Sequence, residues 1–480
     1  MVYINSVRIK KPWQLPLLLG ALTLLFFSCD TVTDSSSVPP MLDAASGNFW
    51  ALDFSGNSAA PYSLQADLLA EGQYCNIWVE KGSGVPAVTA RNIANTFDKV
   101  IYPEMTAAFG YSGDINYDGQ VVHGTMGLAG LLGNGDGKLC ILLLDIKDNY
   151  RKGVNDSYTA GYFWYNNFLN VDYSNRLAMI YIDTNPGQPG STESNATIAH
   201  EMQHLMNYVS SIAFRPNQMD TWIDEGLSSA AEWLYTGQQR QNRYGWYEND
   251  QIGNQSGLIE SGNNFFVWGN HADIPYAILD DYATVYLFFQ WLRLQSGSTA
   301  IYDDIITSSD YDFEAVTKAA AARMSGQGYD DWGTLLKTWL AANYINARSG
   351  KYGYMNDPVL KNIKAKTVAA GINSLSLASG EGVYSLIPNG SSFNTPNPKS
   401  GYINYVRLSA TSISETLPYA GGPYVELLTF NANSNNQGKT ETGLTTGNAD
   451  IDIAASGRSM KSPQLSGPFP ISGWDMLNHD

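Results

Sequence analysis

Charged residues make up only 15% of the 480-residue chain, and the basic sign is the scarcer, with 28 Lys and Arg against 45 Asp and Glu. The net charge of −17 and a pI near 4.6 exclude nucleic acid as a natural partner; they imply solubility without naming a substrate. Cysteine is scarcer still, at three residues: Cys29, Cys75 and Cys140. Cys75 and Cys140 sit in apolar, strand-like runs and read as buried small residues, with a disulfide between them as the alternative. No internal repeat is present, and beyond the N-terminal region no apolar run is long enough to span a bilayer. What the chain has is 44% hydrophobic residues, enough for real cores, and length for about two to three domains.

The N-terminus reads as an export signal. Arg8, Lys10 and Lys11 precede an apolar stretch from Leu15 to Phe27, too short to span a membrane but suited to a signal-peptide core. It ends in Leu25-Phe26-Phe27-Ser28-Cys29, which resembles a bacterial lipobox with Phe26 in place of the usual leucine. The resemblance implies a lipid on Cys29; secretion after cleavage nearby is the alternative. A polar tether from Asp30 to Pro40 follows.

The chemistry is concentrated in His200-Glu201-Met202-Gln203-His204. Positions i and i+4 share a helix face, so both imidazoles can reach one metal ion while Glu201 projects beside them. The spacing predicts a helix here: a breaker cluster at Pro186–Gly190 is followed by the N-cap candidates Ser191, Thr192, Ser194 and Asn195. Ile198, Met202, Leu205 and Val209 then recur as a buried stripe, with His200, His204 and Asn207 on another face. A catalytic tetrahedral site needs a third protein ligand. A second amphipathic helix, capped by Asp220 or Thr221 and closed by Gly237, offers Glu225 in what reads as its first turn.

Ala199 to Tyr208, followed by Trp222-Ile223-Asp224-Glu225-Gly226-Leu227, resembles the glutamate zincins, and more narrowly the hyicolysin-like zinc metallopeptidases of bacteria. Asn134–Ile146, Ala160–Trp164 and Met179–Thr184 share in the resemblance, which covers roughly residues 75 to 345. It implies an α+β fold: a two-lobed zincin-like domain of mixed sheet and helical lobe. It also implies Zn2+ on His200, His204 and Glu225. A metzincin would need Gly and His where this chain has Asn207 and Ser210. Thermolysin-like enzymes place an orienting acid four residues after the ligand Glu. Here that position is Ser229, so support for the histidines has to come from elsewhere, with Asp224 and Glu232 as candidates.

Zinc there lowers the pKa of its water to about 7, and Glu201 is the expected general base and acid for attack on a peptide carbonyl. The developing oxyanion needs a second donor. The resemblance points to a tyrosine within Asp281–Leu292; Tyr282 is preferred, then Tyr286, then His271. The strand Leu177–Asp183, just before the zinc helix, is expected to border the cleft and take an extended peptide on its edge.

The expected organisation is a signal peptide over 1–28, a tether over 29–45, the metallopeptidase domain over 46–350 with its sheet-rich lobe ending near 190, and a β-sandwich-like module over 365–480. Strands and glycine-rich loops are expected between 114 and 185, and helices from 194 to about 347. Asp114-Ile115-Asn116-Tyr117-Asp118-Gly119 matches half of an EF-hand loop, but Thr125 stands where a bidentate Glu is needed. A tight turn is expected, with Ca2+ the disfavoured alternative. The function expected is an exported zinc endopeptidase acting on protein or peptide. A catalytically silent adhesion lipoprotein would not need the intact Glu201, and an aminopeptidase would need an amine-binding acidic signal that is missing.

Overall fold

The structure is a computed structural model that describes residues 7–8, 44–247 apart from 57, 134–135 and 156–157, then 265–266, 277–365, and strands beyond. Leu15–Phe27, Cys29, the tether from Asp30 to Pro40, and His271 lie outside the described residues. Among the described residues no helix is long and apolar enough to cross a membrane.

A six-stranded sheet forms the first lobe. Its strands are β1 (Asn48–Asp53), β2 (Ala60–Glu71), β3 (Cys75–Glu80), β6 (Leu139–Leu144), β7 (Gly161–Phe163) and β8 (Met179–Asp183), in spatial order β1-β2-β3-β6-β8-β7. β3, β6 and β8 run parallel, whereas β7 is antiparallel to β8. β6 and β8 are buried at every position, as strands covered on both faces must be. Cys75 and Cys140 are both free; Cys75 belongs to the core on one side of the sheet and Cys140 to the core on the other. Adjacent strands thus aim the two thiols apart, and burial pushes the Cys75 thiol up to about 12.

Two expectations change here. β8 is interior, flanked by β6 and β7, so the strand at the sheet edge is Gly161–Phe163. Hydrophobic runs alone do not reveal strand order. Between 114 and 185 the chain also forms a helix, α3 (Gly124–Leu132), where three glycines masked the helical pattern. The EF-hand-like segment is a hairpin of β4 (Asp114–Tyr117) and β5 (Gln120–His123), joined by Asp118 and Gly119 at φ 48° and 85°. Two left-handed residues make the tight hairpin turn that Asp-Gly favours.

On the sheet-rich side, α1 (Ala87–Thr96) runs through a wide turn at Phe97–Ile101 into α2 (Tyr102–Phe109). The second lobe is helical: α4 (Thr192–Phe214), α5 (Thr221–Thr236), α6 (Gln241–Tyr247), α7 (Ala277–Ser296), α8 (Ala300–Ile306), α9 (Phe313–Arg323) and α10 (Trp332–Ile345). α4 lies between the sheet and α5, so its polar face is buried along with the apolar stripe. Aromatic rings from several of these helices, including Trp222, Phe288, Phe289, Trp332 and Trp339, interlock in one core that extends across the sheet face.

Past 365, strands Thr367–Ala369, Glu381–Ile387, Tyr424–Phe430, Ile403–Leu408 and Ile413–Ser414 make one sheet in that order. The Tyr384 hydroxyl donates to the Leu340 carbonyl at 2.7 Å, fastening this sheet to α10. The packing between sheets that would define a β-sandwich falls outside the described residues.

Candidate metal centre

α4 begins as its sequence requires. Ser191 sits in extended conformation and its hydroxyl accepts the Ser194 N–H at 3.1 Å, with Glu193 in the first turn. The helix stops before Pro216, which holds Arg215 in extended conformation. α5 ends on Gly237 in the left-handed region, at φ 63°. Asp220 is at its N-cap position but its side chain makes no cap hydrogen bond. Glu225 falls just past the first turn, where Asp224 is the acidic residue. A helix-terminus role therefore belongs to Asp224 and leaves Glu225 for another purpose.

That purpose is visible in the packing of α5 against α4. Glu225 Oε2 lies 3.5 Å from His200 Nε2 and 3.6 Å from His204 Nε2. Donors bound to zinc at about 2.0–2.1 Å in a tetrahedron stand about 3.3–3.4 Å apart, so the three fit that ion within a few tenths of an ångström. Both distances are long for hydrogen bonds, and His204 Nε2 and Glu225 Oε2 are buried with no hydrogen-bond partner among the described residues. Among those residues, His200, His204 and Glu225 are the one set of His, Cys, Asp or Glu side chains grouped to hold a metal.

The outer ring nitrogens are also assigned by geometry. His200 Nδ1 is 3.0 Å from Glu232 Oε1. His204 Nδ1 is 3.0 Å from Asp224 Oδ2 and 3.0 Å from the Ser228 hydroxyl. The one proton of the Ser228 hydroxyl has Gln203 Oε1 and the Asp224 carbonyl as acceptors, so toward His204 the hydroxyl accepts. Carboxylates and this hydroxyl all accept, so each imidazole in its neutral form keeps the proton on Nδ1 and the lone pair on Nε2, the nitrogen nearer Glu225. Both candidates for the missing orienting acid are thus used, one for each histidine. Ser229 has no hydrogen-bond partner among the described residues.

Charge follows from these contacts. Burial alone would raise the Glu225 carboxyl, yet the imidazoles of His204 and His200 hold it well below the usual carboxylate range. Burial opposes a charged His204, but Asp224 and Glu225 beside it keep its imidazole well above the ordinary 6.5. Against burial, Arg243, His200 and Arg240 likewise hold the Glu232 carboxyl far down.

Glu201 is fully buried, next to Gly161 of β7. A Cβ at Gly161 would stand 2.8 Å from Thr197 Cγ2, 2.9 Å from the Tyr181 carbonyl and 3.1 Å from Glu201 Cγ. Only glycine lets the edge strand approach Glu201 this closely. The Asp183 N–H donates to the Ala160 carbonyl at 2.9 Å, and Tyr162 pairs with Tyr181. By the alternation of an antiparallel ladder, the N–H and C=O of Gly161 and Phe163 point away from β8, toward an edge that no strand covers among the described residues.

Tyr282 is buried on α7, and the Arg243 guanidinium carbon lies 4.5 Å over its ring. Tyr286 is engaged elsewhere: its hydroxyl accepts the Arg240 N–H at 2.9 Å and donates to Gln239 Oε1 at 2.6 Å. Arg240 and Arg243 carry no metal-site signature in the sequence, because arginines near a helix end are ordinary.

The chain is 28% identical over 364 residues to the neutral metalloprotease ShpI of Staphylococcus hyicus, a match covering 72% of each chain. No family model matches it.

Proposed function

We propose that this protein is a zinc-dependent endopeptidase of the glutamate zincin type. The observation that carries the proposal is the buried convergence of His200, His204 and Glu225 from two packed helices, with Glu201 on the same helix as the histidines. The similarity to a neutral metalloprotease supports the metal and the protease reading. When bound there, zinc supplies a Lewis acid that makes a water nucleophilic near neutral pH. Glu201 would be the group that takes a proton from the attacking water and delivers it to the leaving amine. Gly161 and Phe163 receive an extended peptide on the open edge of β7, a correction to the strand expected from sequence. Tyr282 is carried as the candidate second donor to the oxyanion.

Export and a lipid on Cys29 belong to the same proposal, supported by the N-terminal sequence. Within the described structure His200, His204, Glu225 and Glu201 are all buried.

The test is zinc content and casein cleavage by the chain lacking residues 1 to 29, beside Glu201→Gln. One equivalent of zinc in both, with cleavage only by the parent, is expected. Zinc without cleavage by the parent would point to a latent or narrowly specific enzyme, and a folded protein without zinc would favour the adhesion reading.

A further inference from the structure

Glu232 sits at the centre of a buried set of contacts that ends on His200. Its Oε1 is 3.0 Å from His200 Nδ1 and accepts from an Arg243 terminal nitrogen at 2.9 Å. Its Oε2 accepts from Arg240 Nε at 2.9 Å. The other nitrogens of Arg240 reach Glu193, in the first turn of the helix that carries His200. Arg240 is further held through its backbone by Tyr286, and Arg243 by the face of Tyr282.

The side chain of Glu232 is 1% exposed. Burying one carboxylate costs more than a single imidazole N–H offsets. Two guanidiniums, one on each oxygen, make the charge tenable and also stop the carboxylate from rotating. His204 is served differently: Asp224 is 17% exposed, its Oδ1 accepts from Asn207, which Arg215 holds, and no guanidinium bonds it directly among the described residues.

We propose that Glu232, clamped by Arg240 and Arg243, is the positioning residue that fixes the His200 ring for metal binding, and that Arg243 acts on the metal centre through it. The inference rests on the zinc reading above. α5 and α6 then decide the orientation of a ligand on α4, and the anchor lies seven residues beyond the ligand Glu225, away from the Ser229 position where thermolysin-like enzymes keep theirs.

The experiment measures zinc affinity by chelator competition for the full chain purified in detergent, beside Glu232→Gln, Arg243→Gln and Arg243→Lys. Near-UV circular dichroism of each metal-free protein reports folding, and the visible bands of each Co2+ form report ligand geometry. Glu232→Gln and Arg243→Gln are expected to fold, to bind zinc about 10–100-fold more weakly and to shift the Co2+ bands, with Arg243→Lys recovering most of the loss. Folded variants with parental affinity and parental bands overturn the proposal. So does failure of both to fold, because the network would then serve folding and not the metal. A parent chain that binds no zinc removes the metal reading, and this inference with it.

Discussion

Gly226 and Phe289 meet with no room for a side chain between them: a Cβ on Gly226 would lie 2.3 Å from Phe289 Cε2 and 2.4 Å from Cδ2. Phe289 is fully buried on α7, so its ring has nowhere to go. This contact sets how closely α5 packs on α7, one residue from the candidate ligand Glu225. Gly226→Ala is expected to destabilise the fold by about 1–3 kcal/mol, as overpacking does, and to weaken zinc binding by moving Glu225. Denaturant unfolding and a zinc titration check both, and parental values in each would show that the helices separate without cost.

Gly161→Ala tests the other close approach. The added methyl pushes the edge strand from Glu201, and displacement of reacting groups by about 1 Å can cost on the order of 100-fold in rate. A fall in kcat/KM with zinc content unchanged is the expected result. Equal loss of zinc would mean that the methyl disturbs α4 as a whole.

Zinc binding should be strongly pH-dependent, and the sign follows from His204. Without metal, its imidazole stays protonated above its ordinary 6.5, because Asp224 and Glu225 outweigh burial. Zinc must therefore displace a proton, and affinity falls as pH falls, by about tenfold per unit for each proton displaced. Competition titrations at pH 6 and 8, and binding heats in two buffers of different ionisation enthalpy, measure it. Affinity independent of pH would contradict a protonated His204.

Asp220 gives a stability prediction of its own. Burial, with Asp312 nearby, pushes its carboxyl from 3.8 up to about 7. A raised acid favours the folded state only while protonated, so the cost of ionising it is absent below about pH 4, grows through the window to 7 and is constant above. Asp220→Asn keeps the backbone contacts of the helix start and removes that cost. It should stabilise the protein at pH 8 relative to pH 4, by on the order of 2–4 kcal/mol. An identical effect at both pH values would show that Asp220 titrates normally.

Tyr282→Phe separates two uses of one residue. Loss of an oxyanion donor lowers kcat by about 100-fold or more with zinc affinity intact. An unchanged kcat would assign Tyr282 to packing under Arg243, where its ring is found.

Much of the site was legible in the sequence because it depends on local geometry. The four-residue spacing of His200 and His204 places them on one face of any helix, Ser191 is one of the cap candidates read before that helix, and Gly237 closes the next one. The Asp118-Gly119 turn was legible for the same reason, since it depends on two backbone angles. Helix α3 was not, because its glycines weaken the local signal that the surrounding core replaces.

By itself, then, the sequence determined the histidine pair, the candidacy of Glu225, the turn at Asp118 and the mixed helix and strand content. Propensity and periodicity act over a few residues, and a reader can sum them. Only the tertiary structure decided that β7 and not β8 forms the edge, that Asp224 and Glu232 each serve a different histidine, and that two arginines clamp one of those acids. Those outcomes depend on which elements pack together, and buried charges and close backbone contacts are settled only where distant parts of the chain meet.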